Sequence, residues 1–362
     1  MPITKREFLL YSTASVLSAS AGAGHILSAG SAFAMEKKMP LNIIPVLRKA
    51  DTLSDEQVFT WMKQLRGHPF VTQSGFDVTS VFKVKADEGM FYVAGVNVEN
   101  SDLTTGTCGE EGAIATAICA FGQKIDILEG WVMGAPKGAK TSDIACYPCG
   151  ECRQRIAQYT GPDAPIHVMA LNGKKLDTKT RSQLLPHAFS FRDLEHNGAA
   201  ATVSPPAAME NVASRLYRKH EKPLTEKEIF EWLQGLRGDV RVSDYNEMAI
   251  WRLDDGSYVA GVKVENAAYP SSTNVMSATA ALMNAHYGNK KVEEVWAHGF
   301  YNATDKQAKL ADKHHVSTGA GLQVLKQFAA NDGIKVHQFN SLGMIKTESL
   351  SSLLSNASVF KV

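Results

Sequence analysis

Three of the five cysteines are spaced as ligands of a metal: Cys108, followed by Gly109 and Glu110, and the pair in Pro148-Cys149-Gly150-Glu151-Cys152. Thiolates bind zinc. Both segments stand where a helix is expected to begin, and the free amides and positive dipole end there lower a thiol's pKa. Three protein ligands leave one tetrahedral position for water, which a metal acidifies. Glu110, two residues past a ligand, has the reach to take that proton and return it to a leaving group. Two blander arrangements compete. A closed structural zinc knot commonly draws on two Cys-x-x-Cys pairs, and only one is present. A dithiol or disulfide of Cys149 and Cys152 leaves Cys108 and its neighbouring carboxylate without a part.

The elements that must hold these residues come twice. Tyr92-Val-Ala-Gly-Val-Asn-Val-Glu-Asn100 returns as Tyr258-Val-Ala-Gly-Val-Lys-Val-Glu-Asn266, an offset of 166 positions. Leu53 to Trp61 likewise answers Leu224 to Trp232, and Arg66-Gly67 answers Arg237-Gly238. The chain is therefore read as an internal duplication. Each copy opens on a capped helix, with Ser54 and Gln57 in the first and Thr225 with Glu228 or Lys227 nearby in the second. Strands are expected over 78–84, 90–98 and 125–132, and the spacing of Ile114, Ala117, Ile118 and Phe121 predicts a helix with one buried face, stopped by Gly122. Strands alternating with helices predict an α/β class, a three-layer α/β/α sandwich on one mixed sheet in each copy.

With the cysteine pattern set among these elements, the chain resembles the zinc-dependent cytidine deaminases, whose signature is a ligand-x-Glu followed by Pro-Cys-x-x-Cys. Ser74-Gly-Phe-Asp-Val78, Asn97-Val-Glu-Asn100 and Leu184-Leu-Pro-His-Ala-Phe189 resemble further segments of that family. The resemblance implies zinc on Cys108, Cys149 and Cys152, proton transfer by Glu110, and deamination of cytidine or deoxycytidine to the uridine product. It also implies that Asn97 and Glu99 hydrogen-bond the ribose hydroxyls and that Phe76 packs against the pyrimidine. Glu99 has a rival reading as a turn cap, because Glu265 persists in the second copy; Lys263 replaces Asn97 there. The second copy has Asn274, Met276, Thr318 and Gly321 where the first has Cys108, Glu110, Cys149 and Cys152, so it is expected to bind no zinc. One working and one degenerate domain resembles the two-domain, homodimeric class of the family, against the alternative of a second copy that only shields the first. Where the family has an arginine after the catalytic glutamate, this chain has Glu111. That extra carboxylate opposes ionisation of a zinc water unless Arg153 or Arg155 compensates. A zinc-containing nucleoside-binding or interaction protein without turnover is the competing function.

The boundaries expected are a leader at 1–34, an arm at 35–52, a catalytic domain at 53–195, a linker at 196–222 and a degenerate domain at 223–362. Lys5-Arg6-Glu7-Phe8-Leu9 followed by Ala32-Phe33-Ala34 resembles a twin-arginine export signal with Lys5 in place of the first arginine, which predicts an exported or periplasmic protein. No later run reaches the ~18 apolar residues that a membrane span needs. Lys plus Arg number 38 against 37 for Asp plus Glu, with no block of one sign, which disfavours a general nucleic-acid surface. The expected partner is a small nucleoside. Cys119 is expected in the core, Cys146 at a strand end before the zinc loop, and His314-His315 as a solvated pair.

Overall fold

The computed structural model describes residues 43–195, 211–303, 311–315 and 317–355, all within one compact unit. The segment expected to be a leader, 1–34, lies outside the described residues, as do 35–42 of the expected arm and 196–210 of the expected linker. In the first half, strands β1 (Leu47–Lys49), β2 (Phe76–Ala86), β3 (Gly89–Val96), β4 (Asp126–Pro136), β5 (Pro165–Met169) and β6 (Lys175–Thr180) accompany helices α1 (Asp55–Leu65), α2 (Gly109–Phe121) and α3 (Gly150–Tyr159). The second half repeats them as β7 (Tyr217–Lys219), β8 (Tyr245–Leu253), β9 (Ser257–Val262), β10 (Val292–Tyr301), β11 (Lys335–Phe339) and β12 (Ile345–Ser349), with α4 (Glu226–Gly235), α5 (Val275–Tyr287) and α6 (Gly319–Phe328).

Each half builds one six-stranded mixed sheet. The first runs β1-β3-β2-β4-β5-β6 and the second, in mirror listing, β12-β11-β10-β8-β9-β7. The β4–β5 and β10–β11 pairs are parallel and every other pair is antiparallel. A parallel pair needs a crossover, which α3 and α6 provide. The edge strand β1 comes from the stretch before residue 53 and lies on β3, just as β7 lies on β9.

Strand alternation sorts the helices onto opposite faces. Tyr92 turns toward the start of α1, where its hydroxyl accepts from Leu53 N at 2.9 Å, and Trp131 donates to Asp55 at 2.9 Å. Phe91, its neighbour in β3, turns the other way onto Phe121 of α2, ring centroids 4.7 Å apart. The capping boxes are those the sequence predicts: Gln57 N donates to Ser54 Oγ at 3.3 Å and Glu228 N to Thr225 Oγ1 at 3.3 Å.

One expectation is corrected. Helix α2 is not buried on one face but on all sides, and so is α5. Each packs on its own sheet and also on the other helix and the other sheet. The two helices thus form a shared central layer, which is why α2 carries alanines and glycines where a surface helix would carry charge. Gly112 is one place where α2 and α5 meet closely: a Cβ there would lie 3.2 Å from the Ala281 Cβ and 3.3 Å from the Val96 carbonyl oxygen. The missing side chain answers a packing need.

Candidate metal centre and active site

Cys108 is the N-cap of α2 and Cys149 the N-cap of α3, both with extended backbone angles. Cys152 N donates to the Cys149 sulfur at 3.4 Å, closing the first turn of α3 around it. The second half puts ordinary capping residues at the same two places, Asn274 before α5 and Thr318 before α6. The duplicated scaffold therefore offers two helix starts side by side, and the first half fills them with thiols. The Sγ atoms of Cys108, Cys149 and Cys152 all lie within 4.8 Å of one another, with Cys108 and Cys149 3.9 Å apart. Metal–sulfur bonds of about 2.3 Å at the tetrahedral angle would separate two sulfurs by about 3.8 Å, so the donor set fits zinc in number, kind and spacing. Hydrogen bonds with Cys108 and Cys152 hold the Cys149 thiol far below the usual thiol range. No disulfide joins any of the five cysteines.

Glu110, in the first turn of α2, is 3% exposed, and burial pushes its carboxyl up to about 7. The three sulfurs and Glu110 face a cavity of about 740 Å³, which Phe76, Asn97 and Glu99 also line. All seven residues singled out in the sequence are thus brought to one place. Asn97 and Glu99 also serve the backbone. Asn97 Oδ1 accepts from Val78 N at 2.8 Å, and its amide donates to the Phe76 carbonyl at 2.9 Å. Glu99 accepts from Gln73 N at 2.7 Å and Ser74 N at 3.1 Å. Glu265 makes the matching pair with Val242 N and Ser243 N at 2.9 and 3.0 Å, so capping this turn is common to both halves.

The second half also reaches the cavity, through Pro270, Ser272, Thr273, Asn274 and Ser277. Nothing in the spacing of the sequence signals this, because it depends on how the halves dock. Of the two arginines weighed against Glu111, the structure selects Arg155, whose Nη2 lies 3.3 Å from the Glu111 carboxylate; Arg153 is spent on the carbonyls of Pro148 and Leu184. Cys146 ends no strand. It lies in the loop after β4, half-buried on the cavity wall, where a Cβ on Gly134 would come within 2.5 Å of its sulfur.

At the equivalent place in the second half, side chains occupy the space. Lys263 Nζ pairs with Glu247 at 3.4 Å and Glu265 at 3.1 Å, and the Tyr245 hydroxyl lies 3.2 Å from His315 Nδ1. His315 is therefore not part of a solvated pair: it is 3% exposed and burial drives its pKa down to about 3.

A three-thiol centre beside a buried carboxylate, set at two helix starts over a mixed sheet, defines an enzyme of the hydrolytic deaminase kind. No family model matches the chain. A curated cytidine deaminase of Sporosarcina psychrophila is 30% identical over 141 residues, 39% of this chain and 95% of that protein. The chain belongs to the cytidine deaminase family. Among solved structures, a cytidine deaminase from Burkholderia pseudomallei is 23% identical, with a TM-score of 0.33 over 38% of this chain and all of that one. The cytidine deaminase from Mycobacterium leprae is 24% identical, with a TM-score of 0.29 over 38% of this chain and all of that one.

Proposed function

We propose that the first half deaminates cytidine or deoxycytidine hydrolytically, with zinc on Cys108, Cys149 and Cys152, and that the second half is a degenerate copy without chemistry of its own. The observation that carries this reading is the convergence of three sulfurs and one buried carboxylate on a single cavity. Held by Cys108, Cys149 and Cys152, a zinc ion would supply Lewis acidity and would bring the pKa of a water toward neutrality. Glu110 does the proton work. Its carboxyl, raised to about 7 by burial, is poised to exchange a proton near neutral pH, which suits one group acting as base and then as acid. It accepts the proton of the attacking water and passes protons to N3 of the pyrimidine and to the departing ammonia; cytidine and water become uridine and ammonia. Asn97 and Glu99 are read as ribose contacts and Phe76 as the packing surface for the base. All three stand on the cavity wall, and the lone pairs left on the Glu99 carboxylate and Asn97 carbonyl after their backbone bonds remain available as acceptors.

The leader at 1–34 supports an exported or periplasmic location for this activity, and the resemblance to the two-domain class supports a homodimer. The test is release of uridine from cytidine by purified protein. Glu110→Gln is expected to lower turnover by at least about 10²-fold, the scale of general acid–base catalysis, while zinc content stays unchanged. One bound zinc with no turnover of any pyrimidine nucleoside would support the nucleoside-binding alternative instead.

A further inference from the structure

Glu111 follows the catalytic glutamate and is 4% exposed, an expensive place for a second carboxylate beside three thiols. Its surroundings account for it. Glu111 Oε1 accepts from the Thr273 hydroxyl at 2.6 Å and faces Arg155 Nη2 at 3.3 Å, while Oε2 receives Cys108 N at 3.4 Å. Arg155 in turn donates from Nε to the Ser271 carbonyl at 2.8 Å and from Nη1 to Glu151 at 3.2 Å. Glu111 stands one turn after Cys108 on α2, and Arg155 one turn after Cys152 on α3. The ion pair therefore ties together the two helix starts that carry the sulfurs. Both of its outer supports, Thr273 and Ser271, belong to the half that has no thiols.

Resting on the zinc reading above, we propose that Arg155 and Thr273 are positioning residues of the three-thiol centre: with Glu111 and Ser271 they form a clamp that fixes α2 against α3 and holds the sulfurs at ligating distance. Within the clamp Arg155 cancels the charge of Glu111, so that this carboxylate anchors Cys108 N without adding to the negative charge of the sulfurs. Arg155 stays protonated despite its burial because Glu111, Cys152 and Glu151 surround it. The half that has lost its own site thereby acts on the other one.

Thr273→Val removes one hydroxyl at nearly constant shape, in a residue 162 positions from its partner. Outer-shell changes typically cost 10–100-fold in metal affinity, and a fall of about 10-fold is expected in zinc affinity measured by chelator competition, with a shifted sulfur-to-metal charge-transfer band in the cobalt-substituted protein. Thr318→Ala is the control. It removes a hydroxyl that caps α6 in the same half, at a residue that does not line the cavity, and zinc affinity is expected to stay as in the parent. The double variant Glu111→Gln with Arg155→Met, which removes the buried pair together and leaves only the exposed Glu151 without its cation, is expected to weaken zinc as Thr273→Val does. Parent-like affinity in both Thr273→Val and the double variant overturns the clamp, as does a loss in Thr318→Ala as large as in Thr273→Val, which would mark a mere stability effect. A parent chain that binds no zinc overturns the metal reading and the clamp with it.

Discussion

Gly95 lies in β3, outside the cavity, yet the geometry makes it a test of how the sheet sets the position of α2. A Cβ built there would fall 2.2 Å from Ala113 N, 2.4 Å from the Gly109 carbonyl oxygen and 2.7 Å from Gly112 C, all backbone atoms of α2. Real Cβ contacts essentially never come under 3.0 Å, so Gly95→Ala must move the helix by at least 0.8 Å, with no flexible side chain to absorb the strain. That helix carries Cys108 as its cap and Glu110 in its first turn. Overpacking of this kind costs about 1–3 kcal/mol. A displacement near 1 Å at a reacting group costs about 10²-fold in rate. Urea unfolding and a cytidine-to-uridine assay on the same preparation should show both losses. Gly150→Ala is the foil: it sits beside Cys149, but a Cβ there meets nothing within 4 Å, so it should leave both nearly unchanged. Parent-like turnover in Gly95→Ala, or a larger loss in Gly150→Ala, would refute the claim that close backbone approach rather than nearness in sequence positions the site.

Burial lowers three histidines of the second half, His286 to about 4, His298 to about 4 and His315 to about 3, so the unfolded chain takes up protons at pH values where the folded chain does not. The histidines' share of stability should therefore be level above pH 6.5 and fall toward pH 4, each contributing up to about 1.4 kcal/mol per pH unit, opposed in part by Glu110 and Asp239, which burial raises to about 7 and about 6. Urea midpoints of the parent and of His286→Gln across that range check it, the variant losing part of the acid-side fall. Lys263→Met leaves Glu247 and Glu265 without their cation in the filled second site and should cost about 3–5 kcal/mol in urea unfolding while zinc binding by the folded protein is retained.

Local chemistry was legible in the sequence and docking was not. The capping boxes at Ser54 and Thr225 depend on residues three apart, and they form as the spacing implies. The duplication, visible as two copies of a nine-residue segment, returns as two sheets of identical strand order, down to matched histidines: His167 between Glu129 and Thr178, His337 between Glu294 and Thr347. The three cysteines and Glu110 could be picked out because ligand type and helix-start position are local properties. What escaped depends on surfaces meeting across the chain. The burial of α2 on every side comes from α5, the choice of Arg155 over Arg153 comes from the direction each leaves α3, and the seating of His315 under Tyr245 comes from the fold of the second half. Thr273 touches Glu111 only because the halves dock there, and no periodicity announces that contact.

X-ray absorption at the zinc edge, on protein purified with its metal, tests the central claim most directly. The account predicts one zinc per chain with three sulfur neighbours at about 2.3 Å and a single lighter neighbour, oxygen or nitrogen, completing the shell. Four sulfurs around the ion, with Cys146 drawn in to close the shell, or a chain that holds no zinc because its thiols are joined as a disulfide, would contradict it.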